Sequence, residues 1–336
     1  MAVLLLTRSV TTHETVVALC AAAGVASDVC ADPSLSLAAW GEADLVLVGA
    51  DLAEEAVELA PPRRSGVHVV GPAPGDAVFR HAVALGAASV VALPEATSWL
   101  ADALADVGER ASPGRVVGVV GGSGGAGATT LACALAQWHA ARGPTLLVDG
   151  DPLGPGVDRL LGLEGRGGVR WEGLAETAGR LGARALREGV PRDGALGVLT
   201  WAGVRRRLDV PTARRMLDAA VRGHELVVLD LARHGGPSLV ELVDRCDDLL
   251  VVTPATVPGL AATARLVAHL GCAGRAGLVV RPGGVGDADA ARVTGLPVVA
   301  TLGEQRGLAA SVDRGLGPLS ARGPLARAAR DLLDAA

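Results

Sequence analysis

Short apolar runs alternate with longer amphipathic segments along residues 1–108. Four runs are rich in Val and Leu, and a segment with helical spacing of its apolar residues follows each of them; they read VLLLT, DLVLVG, GVHVVGP and SVVALP. A weaker run lies at residues 27–30. Continuous apolar strands separated by helices are typical of a parallel sheet that is covered on both faces. The pattern therefore predicts a five-stranded parallel α/β sheet over residues 1–108.

A second block of the same kind covers residues 116–336. Its apolar runs have helical segments between most of them and read VVGVV, TLLVD, LGVLT, ELVVLD, DLLVVT, AGLVV and PVVAT. The polar segment GERASPGR lies between the two blocks and has the composition of a linker. We therefore expect an α/β protein of two domains, residues 1–108 and 116–336, joined by a linker at 109–115. The second domain should contain the larger, mostly parallel sheet.

Composition sets limits on partners and compartment. A chain of 336 residues, 50% of them hydrophobic, is long enough to build two cores. The net charge of −5 argues against binding of nucleic acid over the whole surface. Five cysteines without C-x-x-C spacing indicate reduced thiols, and the first residues lack the basic region of a signal peptide. We therefore expect a cytoplasmic protein.

The segment VVGVVGGSGGAGATTLACALA at residues 116–136 is the strongest candidate for chemistry. A strand runs into glycines, then into two threonines, then into a helix of small residues. A phosphate-binding loop of the pattern G-x-x-x-x-G-K-[ST] that starts at Gly122 has its lysine at position 128. Ala128 occupies that position, and the whole chain contains no lysine. The alternative interpretation is a tight strand-to-helix turn that needs small residues.

The loop retains a means of binding phosphate without lysine. Successive backbone N–H groups over residues 124–130 are expected to form an anion-binding nest, to which the helix start adds its dipole. Losing one charge-assisted hydrogen bond costs about 1.5–3 kcal/mol. Phosphate affinity is then lowered roughly ten- to 150-fold, so a weak site is expected.

Carboxylates follow two later strands in an order that supports a nucleotide site. The run TLLVD ends in Asp149, with Asp151 two residues on, and ELVVLD ends in Asp230. Strand-end side chains of an open α/β sheet meet at its carboxyl edge, where ligands bind. The sequence therefore predicts that these aspartates lie beside the glycine-rich loop.

Together these features resemble the MinD/ParA family of deviant-Walker ATPases over essentially all of residues 115–336. Ser123 replaces the family's signature lysine and Ala128 its second lysine. The resemblance implies ATP or ADP with Mg²⁺ as ligands, Thr129 and Asp230 at the metal, and Asp151 in the catalytic region. The residues it implies at the nucleotide are Ser123, Gly124, Gly125, Ala126, Gly127, Ala128, Thr129, Thr130, Asp149 and Arg281.

Arg281 stands where the family carries an asparagine that reads adenine. The choice of base is therefore left open. Arg233, three residues after Asp230, is weighed as a source of positive charge near the phosphates. The preferred interpretation at this point is a surface arginine.

The first block resembles a response-regulator receiver domain, and its ending HAVALGAASVVALPEA adds to the resemblance. Receiver domains of that family carry an acidic pair, the phosphorylated aspartate, a hydroxyl and a lysine at the ends of four strands. In this chain the corresponding positions are occupied, in that order, by residues 7–9, Gly49, Gly71 and Leu93. Asp51 lies two residues beyond the third strand. We therefore expect a pseudo-receiver that serves in docking or dimerisation, in preference to phosphorylation at Asp51.

A pseudo-receiver fused to a MinD-like domain is similar to the CpaE/TadZ branch, closest to its actinobacterial septum-site-determining type. The resemblance implies a spatial regulator or scaffold in septum placement or tight-adherence pilus assembly. It would be a homodimer with protein partners from either machinery, which recruit it to pole, septum or membrane. The alternatives are a nucleotide-independent scaffold and a genuine slow ATPase.

Two further segments bear on other partners. Arginines at 205–207 and 214–215 interleave with Asp209 and Asp218, so a solvated helix face is favoured over DNA binding. The final amphipathic segment aligns Leu325, Ala329 and Leu332 on one face, with two arginines and two aspartates beside it. We expect it to pack on its own domain in preference to a membrane.

Overall fold

The structure, a computed structural model, describes residues 2–72, 75–109, 113–177, 181–203, 208–320 and 322–334, with side chains at 108 and 109 left out. The chain divides into two compact units, Met1–Ser112 and Pro113–Ala336. Each unit has its own sheet and its own hydrophobic core.

The first unit contains a five-stranded sheet in which each pair of neighbouring strands is parallel. Its strands are β1 (Ala2–Leu6), β2 (Ala26–Cys30), β3 (Leu45–Gly49), β4 (Val67–Gly71) and β5 (Ser89–Ala92). Their order across the sheet is β2-β1-β3-β4-β5. The predicted five-stranded parallel sheet is confirmed, including the weak strand β2.

Helices connect these strands and cover both faces of the sheet. They are α1 (Val10–Ala23), α2 (Leu37–Glu42), α3 (Ala53–Glu58), α4 (Asp76–Leu85) and α5 (Thr97–Glu109), with a 3₁₀ turn at Pro33–Ser36. Side chains of β1 alternate between two cores, with Leu4 in one and Leu5 in the other. Burial on both faces explains why the strands read as continuous apolar runs.

The second unit contains an eight-stranded sheet. Its strands are β6 (Arg115–Gly121), β7 (Thr145–Asp149), β8 (Arg192–Asp193), β9 (Leu196–Leu199), β10 (Leu226–Leu231), β11 (Asp248–Pro254), β12 (Ala276–Arg281) and β13 (Val298–Thr301). Their order is β13-β12-β11-β6-β10-β7-β9-β8. Only the β8–β9 pair among these is antiparallel, so the predicted larger, mostly parallel sheet is confirmed.

Helices of the second unit also lie on both faces of its sheet. They are α6 (Ala128–Ala140), α7 (Val157–Leu160), α8 (Trp171–Glu176), α9 (Ala183–Gly189), α10 (Val210–Gly223), α11 (Pro237–Asp244), α12 (Val257–Leu270), α13 (Asp287–Thr294), α14 (Leu308–Asp313) and α15 (Pro324–Asp334). Val116 and Val120 of β6 face one core, and Val117 and Val119 face the other. The central position of β6 brings the loop that follows it to the middle of the sheet's carboxyl edge.

The C-terminal helix α15 packs on α6 and on β13. Leu325 and Ala329 are buried, and Leu332 is partly buried against the same core. The apolar face predicted from the sequence therefore lies against the domain. Within the described residues, no helix is long and apolar enough to cross a membrane.

Candidate functional site

The glycine-rich loop joins the end of β6 to the first residue of α6, and its glycines have identifiable roles. Gly125 and Gly127 adopt φ values of 68° and 97°, a region that side chains disfavour. Gly122 lies against α12, where an added Cβ would stand 2.1 Å from the Thr263 hydroxyl oxygen. Larger residues at these three positions would therefore displace the loop.

The loop has a defined shape. The Gly122 N–H donates to the Val252 carbonyl at 2.8 Å, and the Ala126 N–H donates to the Ser123 carbonyl at 3.3 Å. The Gly127 carbonyl accepts from Leu131 in the first turn of α6. N–H groups of a first helical turn have no acceptor within the helix, so here they are available to an anion.

A cleft of about 410 Å³ lies over this loop. Its lining comes from the loop, the start of α6 and the ends of two strands; the residues are Gly121, Ser123, Gly124, Gly125, Ala126, Gly127, Ala128, Thr129, Thr130, Asp151, Pro155, Leu160, Asp230, Leu231 and Arg233. The structure therefore brings together the loop and two of the three predicted aspartates.

Thr129 and Asp230 form the polar floor of this cleft. Both residues line the cleft, and the Asp230 carboxylate is 4% exposed. Burial and the nearby carboxylates of Asp149 and Asp151 raise the pKa of Asp230 to about 7, although the Thr129 hydrogen bond opposes the rise. A hydroxyl and a carboxylate are hard oxygen donors of the kind that Mg²⁺ takes. The two residues thus fit the metal role that the resemblance implied for them.

The Asp149 carboxylate makes its hydrogen bonds within the protein. Its carboxylate accepts from the Thr200 hydroxyl at 2.8 Å and from the backbone N–H groups of Asp151 at 3.0 Å and Val157 at 3.3 Å. Burial raises the pKa of Asp149 to about 6, and these hydrogen bonds oppose the rise. Asp149 lines a neighbouring cavity of about 340 Å³ and is not among the residues that line the loop cleft.

Two tryptophans hydrogen-bond the backbone carbonyl of Asp149. The indole N–H groups of Trp171 and Trp201 donate to the Asp149 carbonyl at 2.7 and 3.0 Å, and the rings stack at 5.6 Å. Asp149 therefore fixes the end of β7. Sequence reasoning missed these partners, because they lie in segments that follow later in the chain.

Asp151 lies between the two cavities and lines both. Its carboxylate accepts from the Leu153 N–H at 2.9 Å, which turns the chain after β7. The side chain is partly exposed, so it reaches the cleft that Asp149 does not.

Arg281 contacts the loop from the side of β12. Its guanidinium Nη1 donates to the Gly125 carbonyl at 3.2 Å. It also lines a cavity of about 930 Å³ between the loop and residues 302–310. The structure thus places Arg281 at the loop backbone, where it supports the loop directly.

Arg233 lies in the cleft, which differs from the interpretation favoured by the sequence. It follows β10 and lines the cleft, with its Nη1 4.0 Å from where a Cβ on Gly124 would stand. It is partly buried, and its Nε is buried without a hydrogen-bond partner. Spacing after β10 gave no signal of this, because a loop residue can turn either way.

The first unit has a different arrangement at the corresponding edge of its own sheet. The Asp51 carboxylate accepts from the Thr7 hydroxyl at 2.9 Å and from the N–H groups of Arg8 at 2.7 Å and Ser9 at 3.1 Å. A Cβ on Gly49 would stand 2.2 Å from an Asp51 oxygen. Asp51 therefore reaches back over the end of β3 and occupies the space above Gly49.

The arginines considered for DNA binding are only partly within the described residues, because 204–207 lie outside them. Arg214 forms a two-point ion pair with Glu241, and Arg215 donates to the Thr177 carbonyl at 2.8 Å. Both side chains are thus engaged within the unit.

Comparison with known proteins gives a family model described as an Rv3660c-like, CheY-like N-terminal domain, which matches residues 6–115. The protein Rv3660c of Mycobacterium tuberculosis (strain ATCC 25618 / H37Rv) is 38% identical over 305 residues. That match covers 88% of this chain and 86% of the relative.

Solved structures resemble about two thirds of the chain. A ParA family ATPase from Chlorobium tepidum TLS has a TM-score of 0.56 at 15% identity, covering 66% of this chain and 98% of its own. The MinD cell division protein of Aquifex aeolicus has 0.54 at 19%, covering 66% and 95%. The septum site-determining protein MinD of Pyrococcus horikoshii OT3, complexed with Mg-ADP, has 0.51 at 18%, covering 66% and 95%. These similarities establish a MinD/ParA-type fold.

Proposed function

The chain belongs to the Rv3660c family, and from that premise we propose that it is a spatial regulator whose MinD/ParA-type unit binds ATP or ADP weakly with Mg²⁺. The observation that carries the proposal is the single cleft in which the loop, the Thr129–Asp230 pair and Asp151 meet. Each of these features was expected from a different part of the sequence. Their convergence favours a nucleotide site over a structural turn.

Different residues of the cleft would contact different parts of the nucleotide and its metal ion. Backbone N–H groups of the loop and of the first turn of α6 bind the phosphates. Thr129 and Asp230 hold Mg²⁺, which supplies positive charge against the phosphate oxygens when it is bound. Asp151, at the rim of the cleft, is placed to orient a water molecule beside the phosphates. Gly125 is kept in position by Arg281.

Turnover is expected to be very slow. Ser123 and Ala128 are uncharged at the two loop positions where the family carries lysine. Charge that develops on the transferred phosphoryl group therefore meets no loop cation, and such cations supply large rate factors. Nucleotide binding should tolerate the absence of the two lysines better than hydrolysis does, since the backbone N–H groups of the loop still form the anion-binding nest.

We place the protein in the CpaE/TadZ branch, in its septum-site-determining type, as the fusion of a receiver-like unit to a MinD/ParA-type unit suggests. It would act from the cytoplasm as a homodimer, recruited to pole, septum or membrane by partners from the division or pilus machinery. In the MinD/ParA family the signature lysine reaches the phosphates bound by the partner subunit. Ser123 stands at that position here, so the dimer would depend little on ATP. The receiver-like unit is proposed as a docking or dimerisation module.

Equilibrium binding of Mg-ADP to the full chain, measured by calorimetry, tests the proposal. Thr129→Ala and Asp230→Asn each remove a metal contact worth about 1–2 kcal/mol, so Mg²⁺-dependent affinity should fall roughly five- to 30-fold. Thr301→Ala, an exposed threonine on β13, is the control and should bind like the parent.

The outcomes separate the alternatives. Parent-like binding by both variants would mean that the site lies elsewhere. A parent that binds neither Mg-ADP nor Mg-ATP would favour the nucleotide-independent scaffold. Phosphate release at a rate typical of the family would favour the genuine ATPase.

A further inference from the structure

Arg233 is a charged side chain in the cleft for which the described residues provide no partner. It lies two residues beyond the end of β10, and the cleft wall that it forms faces Gly124. The Nε of its guanidinium is buried and makes no hydrogen bond. A buried polar group without a partner costs free energy, so such a group points to a ligand.

Two other arginines near the cavities have protein partners. Arg170 pairs with Asp158 at 3.2 Å, and Arg281 donates to the Gly125 carbonyl. In the described part of the chain, Arg233 forms neither a hydrogen bond nor an ion pair of this kind. Its charge is therefore available to a molecule in the cleft.

The residues around the Arg233 guanidinium indicate which kind of anion it would bind. The same cleft is lined by the loop and the first turn of α6, whose N–H groups favour phosphate. A guanidinium presents N–H donors in a planar fork that matches two phosphate oxygens.

We infer that Arg233 supplies, from the segment after β10 beside Gly124, the cation that the loop lacks at Ala128, and that it binds the phosphate groups of the nucleotide. The inference rests on the proposed function, since it concerns the same cleft. Positive charge is thus contributed by the segment after β10 in place of the loop. The replacement also explains how a chain without lysine can retain a charged phosphate contact.

Arg233→Ala and Arg233→Lys test the inference on the full chain, with Mg-ADP and inorganic pyrophosphate as ligands. Loss of a charge-assisted contact should weaken both ligands roughly ten- to 150-fold in Arg233→Ala. Arg233→Lys should recover most of that affinity, because it restores the charge without the fork. Arg265→Ala, an exposed arginine on α12, should bind both ligands like the parent.

A second variant gives the test its specificity. Ala128→Lys in the Arg233→Ala background returns a cation to the loop and should restore pyrophosphate affinity to within about tenfold of the parent. An Arg233→Ala protein that binds both ligands within twofold of a binding parent would overturn the inference and leave the proposed function standing. A parent that binds neither ligand would overturn both.

Discussion

Asp51→Ala is the perturbation that most directly tests the structure of the first unit. The carboxylate accepts three hydrogen bonds, from the Thr7 hydroxyl and from the N–H groups of Arg8 and Ser9. These contacts fix the turn between β1 and α1 to the segment after β3. Alanine removes all three, and the two N–H groups are then left to water.

The size of the effect follows from the number and exposure of these contacts. Each hydrogen bond contributes a net of about 0.5–1.5 kcal/mol. Asp51 is exposed, so water recovers part of the loss and the low end of the range applies. Three contacts at about 0.5 kcal/mol each lower the unfolding free energy of the first unit by about 1.5 kcal/mol, which speeds the exchange of its most protected amides roughly tenfold.

Hydrogen exchange measured by mass spectrometry on the full chain resolves this change. Peptides from β1 and β3 should report the faster exchange, whereas peptides from the second unit serve as an internal reference. Asp28→Ala, an exposed carboxylate on β2, is the matched control and should exchange like the parent. Exchange within threefold of the parent in Asp51→Ala would refute the structural role assigned to this carboxylate.

Three further predictions address the two units. Acetyl phosphate should leave no label on residues 1–108, and a stable acyl phosphate at Asp51 would contradict the pseudo-receiver interpretation. Ser123→Lys with Ala128→Lys should raise steady-state phosphate release and ATP-dependent dimerisation, measured by sedimentation; no gain in either would indicate a structural turn. Burial raises the pKa of Asp149 to about 6, above its usual value, so the folded state holds the proton more tightly. As the pH rises from about 4 to 6, this proton uptake should lower the unfolding free energy by about 3 kcal/mol for a rise of about two units. Denaturant titrations of Asp149→Asn should show the fall reduced by about that amount, and the part that comes from the raised pKa of Asp230 should remain.

Much of the fold could be predicted from the sequence, because parallel strands that are buried on both faces read as continuous apolar runs. Even the weak strand β2 was expected from its position between two helical segments. The strand β8 was missed, since two residues, Arg192 and Asp193, carry no periodicity. It exists because the chain reverses at Gly194, whose φ is 57°, and pairs back on β9.

Site residues could be predicted where the order of the strands alone brings them to one sheet edge. They could not be predicted where their position depends on the direction of the side chain. The loop, Thr129 and Asp230 lie on consecutive features of one sheet edge, so spacing was sufficient. Asp149 also ends a strand, yet Thr200, 51 residues later, turns its carboxylate away from the cleft. Arg233 lies in a loop with no periodic constraint, and only packing shows that it lies beside the glycine-rich loop.

The packing of α15 on α6 has a consequence for how the protein is made. The helix that carries the candidate phosphate site ends at Ala140, and the helix that covers it begins at Pro324. At about 5–20 residues per second, roughly 10–40 s of synthesis separate the two. Leu131 and Leu135, buried in the finished protein, lack the cover of α15 throughout that interval. The first unit can fold during translation, whereas the second lacks its C-terminal helix until that interval ends, so the receiver-like unit forms before the candidate cleft is complete.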